Sequence, residues 1–115
     1  MNNQVNIRRH ADAAYARLSR ALVSFAFNVK EQELAAATRS NAQAAFGRQI
    51  AMYLAHVAFE LSLSRVAFAF GRDRTTVSHA CHLIEDRRDD PGFDQKLEDL
   101  ERVLRSAPVP AGPEL

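Results

Sequence analysis

Two apolar stripes separated by one glycine constrain this chain more than any other feature. Leu63, Val66, Ala67 and Phe70 recur at i, i+3, i+4 and i+7, and the same spacing returns after Gly71 at Val77, Ala80, Cys81 and Ile84. Each stripe is one face of a short helix. Ser62 stands where an N-cap is needed, with Leu61 before it and Val66 four positions after the cap, the arrangement of a hydrophobic staple. Gly71 ends the first helix as a residue tolerant of positive φ does, and Asp73 offers the second cap. Two such helices joined by a tight turn make a helix-turn-helix over 62–86. Thr75, His79, His82 and Asp86 fall on the side of the second helix away from its apolar stripe.

The rest of the chain also reads as helical, with alanine abundant, glycine scarce and no alternating run of strand type. A first helix is expected over about 9–28, with Ala11, Tyr15, Leu18, Leu22, Phe25 and Val29 spaced four-three-four-three-four. This stripe allows packing on the domain core or use as a dimerisation helix. A short helix over about 31–37 turns Leu34 inward, and Thr38-Arg39-Ser40-Asn41 reads as a polar loop with capping side chains. A central helix over about 42–60 carries Phe46, Ile50, Tyr53, Leu54, Val57 and Leu61, with Gly47 as a point where it starts or bends. Asp90-Pro91 is a cap followed by proline at the first helical position, opening a helix with Phe93, Leu97, Leu100 and Leu104 inward. The expected organisation is a flexible N-terminus over 1–8, a single helical domain over 9–105, and a disordered proline-rich tail over 106–115.

At 115 residues the chain supports one modest core. No apolar run reaches a membrane span, Met1-Asn2-Asn3-Gln4 leads into no signal-type stretch, and a lone Cys81 fits a reducing compartment, so a cytoplasmic protein is expected. The net charge of +1 hides an asymmetry: residues 1–84 hold ten Lys/Arg against five Asp/Glu, and residues 85–115 hold five against nine. A basic body is compatible with a polyanion.

In a helix-turn-helix the first residues of the second helix meet base edges in the major groove. Arg74 can pair bidentately with guanine, Asp73 can accept from a cytosine amino group, and Thr75 and Thr76 can hydrogen-bond bases or touch a thymine methyl. The pattern alone fits an ordinary helical core equally well. The string Phe70-Gly71-Arg72-Asp73-Arg74-Thr75-Thr76-Val77-Ser78-His79-Ala80-Cys81, continuing to Ile84-Glu85, adds more. It resembles the signature of the C-terminal DNA-binding domain of the bacterial replication initiator DnaA, and Arg48-Gln49-Ile50-Ala51-Met52-Tyr53-Leu54-Ala55 resembles that family's central helix. The resemblance covers about 18–88. It implies an all-α bundle of about six helices, similar in its helix-turn-helix to the Trp repressor, and sequence-specific binding of double-stranded DNA at DnaA-box-like sites. It further implies base reading by Asp73, Arg74, Thr75 and Thr76, and a phosphate-contacting surface at or near Arg48, Arg72 and His79.

Three departures bear on that function. Arg74 stands where the family usually has histidine, which alters base preference. Gly71 replaces a pair of glycines. The basic loop that inserts an arginine into the minor groove is replaced by Arg39-Ser40-Asn41-Ala42-Gln43-Ala44-Ala45-Phe46, with one positive charge. Fewer phosphate contacts mean weaker, less salt-sensitive binding. No G-x-x-x-x-G-K-[ST] string is present. The expectation is therefore a free-standing relative of the DNA-reading part, regulating transcription or replication initiation without an ATPase.

His79 and His82 point away from the face of Cys81, so no metal site is expected, and Cys81 reads as a small core residue. Glu85-Asp86 and Asp89-Asp90 read as solvated charges, so neither catalysis nor a cofactor is expected. The competing function is an adaptor that keeps the fold but binds a protein of the replication machinery, favoured by the depleted loop and the apolar N-terminal stripe.

Overall fold

A computed structural model describes residues 3–36 and 41–112. Six helices follow in order: α1 (Asn3–Phe27), α2 (Glu31–Ala35), α3 (Ala42–Ala58), α4 (Leu63–Phe70), α5 (Arg74–Arg87) and α6 (Pro91–Arg105). No strand occurs among the described residues. Thr38, Arg39 and Ser40, expected in a polar loop, lie outside the described residues, as do residues 113–115 of the expected tail. Residues 106–112 form neither helix nor strand.

Most boundaries have a local cause. Asn41 caps α3 by accepting from the Ala44 amide at 2.7 Å, Ser62 caps α4 through the Arg65 amide at 3.2 Å, and Asp90 caps α6 through the Phe93 amide at 2.8 Å, with Pro91 at the first position. Asn28, at φ 56°, ends α1 in the left-handed region that asparagine tolerates. The helix begins at Asn3 rather than Arg9. Nothing in 3–8 breaks a helix, so residues 3–8 of the segment expected to be flexible continue α1, although their side chains bury little.

α3 is the axis of the bundle, buried at Ile50 through Ala55 on every side. It runs unbroken through Gly47 rather than starting there. A Cβ there would stand 2.7 Å from Leu34 Cδ2, so the glycine leaves room for the end of that buried side chain. One apolar cluster joins α1, α2, α3 and α6 through Val23, Leu34, Ile50, Leu54, Leu97 and Leu104. A second lies between α3 and the α4–α5 pair, around Met52, Leu61, Val66 and Val77. Cys81 packs half-buried between them, and burial pushes its thiol up to about 11.

The stripe expected on α1 is divided by the fold. Tyr15 turns inward and stacks on Phe59 at 4.1 Å, and Leu22 packs on the core, but Leu18 and Phe25 face outward. The face that α1 buries is Asp12, Ala16, Ser19 and Val23. Small residues let α1 approach closely, and Asp12 is neutralised by Arg65 of α4. Two polar residues, Asp12 and Ser19, on the buried face are why hydrophobic periodicity does not mark that face.

At the far end, Arg88 follows α5 and ties three helices together. Its Nε reaches Asp94 Oδ1 at 2.5 Å, and its Nη1 reaches Glu101 Oε2 at 2.5 Å and the Tyr53 hydroxyl at 3.0 Å. Tyr53 in turn donates to Glu85 Oε2 at 2.5 Å. The C-terminal end of α5 is thereby anchored to α3 and α6, leaving its N-terminal end as the part presented outward.

Candidate nucleic-acid interface

The turn between α4 and α5 is built by Gly71. At φ 65° and ψ 38° it occupies the left-handed region; its amide donates to Phe68 O at 3.3 Å and the next amide, Arg72, donates to Ala67 O at 2.9 Å. These are the two bonds of a Schellman motif, and they satisfy carbonyls that α4 would leave open. The single glycine therefore completes the turn.

The carbonyl of Asp73 accepts from the Val77 amide at 3.1 Å, which starts α5. Asp73 holds the N-cap position with extended backbone, but its side chain makes no capping hydrogen bond, contrary to the role expected for it. Asp73, Arg74, Thr75 and Thr76 are all exposed, and His79 is exposed one turn further along the helix. Val77, Ala80 and Ile84 are buried on the opposite side, which holds the outward face in register. A helix N-terminus with amides that no side chain caps favours an acceptor or anion from outside. Around it stand one guanidinium, two hydroxyls and an imidazole that can contact base edges or phosphate oxygens.

The two other arginines expected at this surface are placed differently. Arg48 is buried, 9% exposed, and its Nη1 donates to the Glu33 carbonyl at 2.5 Å. Arg72 is half-buried, and its Nη2 donates to the Ala36 carbonyl at 2.5 Å. One guanidinium from the central helix and one from the turn thus hold the C-terminal end of α2, where helix carbonyls lack partners. Arg48 is a support behind the interface rather than part of its surface. A lone cationic residue on a helix reads as exposed; only the meeting of α2 with α3 reveals its carbonyl partner fifteen positions away.

Sequence reasoning missed three further features of this region. Arg65 grips Asp12 with two parallel bonds, Nε to Oδ2 at 2.9 Å and Nη2 to Oδ1 at 2.7 Å, fixing α4 on α1. Arg9 lies 4.2 Å from the Phe68 ring centre and Arg20 lies 5.2 Å from that of Phe70, so α1 covers the aromatic side chains of α4 with cations. Arg20, Arg48 and Arg72 line a cleft of about 350 Å³ behind the turn, where burial, and next Arg17, pull the Arg20 pKa down. These pairings join residues up to 53 positions apart, and the only sequence signal for any of them is Asp12, the one acidic residue of α1.

His79 and His82 are exposed and Cys81 points inward. No group of three His, Cys, Asp or Glu side chains is gathered among the described residues. No helix there is long and apolar enough to cross a membrane.

Residues 20–84 match the family model described as the bacterial dnaA protein helix-turn-helix. A solved structure described as a DNA replication initiation factor superposes with a TM-score of 0.75 at 26% identity, over 88% of this chain and 31% of that one. This chain therefore corresponds to about a third of that relative's length.

Proposed function

The chain belongs to the family of bacterial DnaA helix-turn-helix domains, a DNA-binding and not a catalytic family, and on that premise we propose that it reads double-stranded DNA at DnaA-box-like sites through the start of α5. The observation that carries this reading is the outward cluster Asp73, Arg74, Thr75, Thr76 and His79 around a helix N-terminus that no side chain caps. In the proposed complex α5 enters the major groove. Arg74 pairs with a guanine, Asp73 accepts from a cytosine amino group, and Thr75 and Thr76 contact bases or a thymine methyl. His79 and the half-buried Arg72 lie toward the phosphates, while Arg48 acts by holding the end of α2 beneath the turn. Arginine in place of the family's usual histidine gives a longer, always-charged reader, so the preferred site departs from the DnaA box at the base that Arg74 meets. Bound at such sites in the cytoplasm, on the nucleoid, the protein regulates transcription or replication initiation and needs no cofactor.

The test is fluorescence anisotropy with a DnaA-box duplex and a scrambled duplex at two salt concentrations. The intact protein is expected to prefer the box, and Arg74→Ala or Thr76→Ala to cost about 1–3 kcal/mol of that preference. Equal weak binding of both duplexes, unchanged by either substitution, refutes the reading.

One observation favours a second reading, an adaptor for a component of the replication machinery. α1 leaves Ile7, Leu18 and Phe25 exposed on one side of the molecule, an apolar surface that DNA reading does not use.

A further inference from the structure

The outward side of α1 is a second, complete seam. Ile7, Ala11, Ala14, Leu18, Ala21 and Phe25 are spaced four-three-four-three-four, the pattern of a helix that packs along another helix. It is distinct from the face Asp12, Ala16, Ser19 and Val23 that α1 buries in its own core. Phe25 is 87% exposed, projecting from the last turn of α1. Beside it, between α1 and α2, runs an open groove of about 600 Å³ lined by Ala14, Leu18, Ala21 and Ala35 together with Arg17, Arg20, Glu31 and Gln32.

We infer that this face binds a second copy of the same chain, with α1 packed antiparallel on α1 and each Phe25 seated in the other copy's groove. The knob lies at one end of the seam and the groove toward its middle. A parallel partner would set Phe25 against Phe25, whereas a reversed partner, related by a two-fold axis near Ala21, fills both grooves with both knobs. The interface is isologous and closes at two copies. Ala21, at the axis, permits the close approach that this arrangement needs.

Charge points to the same occupant. Reversal carries Arg17 of one copy toward the start of the other copy's α2, where Glu31 is exposed, feels Arg20 of its own copy, and makes no ion pair within 4.0 Å among the described residues. The exchange brings together opposite charges that already line the groove in each copy. A specific interface needs roughly 500 Å² from each copy. The phenyl of Phe25 supplies on the order of 150 Å², and Leu18, itself only 39% exposed, adds less than that, so the contact falls short of that area and the dimer is weak and concentration-dependent. It would present two copies of α5 from one particle, as two-fold helix-turn-helix proteins do on paired half-sites.

Sedimentation equilibrium without DNA tests the dimer independently of DNA reading. The chain is expected to pass from 12.8 kDa toward twice that mass as concentration rises. Phe25→Asp is expected to stay at the monomer mass with an unchanged circular dichroism melt, because Phe25 contributes little to the fold of one copy. In a Cys81→Ser background, Leu18→Cys mixed with Phe25→Cys should form a disulfide between copies faster than Phe25→Cys alone. A monomer at every soluble concentration overturns the inference. So does a dimer that Phe25→Asp leaves intact, or cross-linking as fast between two Phe25→Cys copies.

Discussion

Removing one partner of the Asp12–Arg65 pair should destabilise the protein very unequally, depending on which partner is lost. The Asp12 side chain is 4% exposed and that of Arg65 is 36% exposed. Arg65→Met keeps an aliphatic stem but leaves a carboxylate inside the α1–α4 contact without either bond from the guanidinium. Breaking a buried pair in that sense costs about 3–5 kcal/mol, and the lower end applies because one side of the pair reaches water. Asp12→Ala only releases a guanidinium that is already a third solvated. Its loss of about 1 kcal/mol is offset in part by the better helix propensity of alanine inside α1. The double variant buries neither charge and should fall within about 1 kcal/mol of the wild type, so the two losses do not add. Urea denaturation followed by circular dichroism reads these differences, provided the m-values agree. The expected order of stability is wild type, then Asp12→Ala and the double variant close together, then Arg65→Met well below. If Asp12→Ala costs as much as Arg65→Met, or if the losses sum in the double variant, unequal burial is not what sets the energy of this contact.

Two further outcomes follow from buried polar groups. The Ser19 hydroxyl is fully buried and finds no hydrogen-bond partner among the described residues, so Ser19→Ala should raise stability by about 1 kcal/mol, seen as a melting temperature higher by about 4 °C. Tyr53 is pushed up to about 12, first by burial and then by its bond to Glu85. The folded state therefore holds a proton that the unfolded chain releases near the ordinary value of 10.0. The stability this confers is complete below pH 10, is lost as pH rises through about 12, and amounts to about 2 kcal/mol. Tyr53→Phe should be less stable than the wild type by about 1 kcal/mol at pH 8 through loss of its hydrogen bonds. Its deficit should shrink and then reverse across pH 10–12, and a gap independent of pH in thermal melts counts against the assignment.

Local chemistry explains what the sequence showed and what it hid. Gly71, Ser62 and Asp90-Pro91 act on amides and carbonyls within a few residues, so the turn and the caps were readable before any contact was known. Arg72 through Thr76 resemble a known string, and the exposed start of α5 follows from the apolar spacing of Val77, Ala80 and Ile84. Asp73 is the exception within this segment. It sits at a cap position without capping, a choice of rotamer that residue type does not determine.

The amino-acid sequence by itself determined the six-helix order, the placement of the helix-turn-helix and the identity of the side chains at the start of its second helix. Each of these depends on interactions within one or two helical turns. The tertiary structure decided which face of α1 is inside, that Arg48 supports the end of α2, and that Arg65 meets Asp12 across 53 positions. Those outcomes depend on which helices meet. A buried polar residue resembles a surface residue until its partner arrives from another helix, and an apolar seam resembles a core face until the fold leaves it outside.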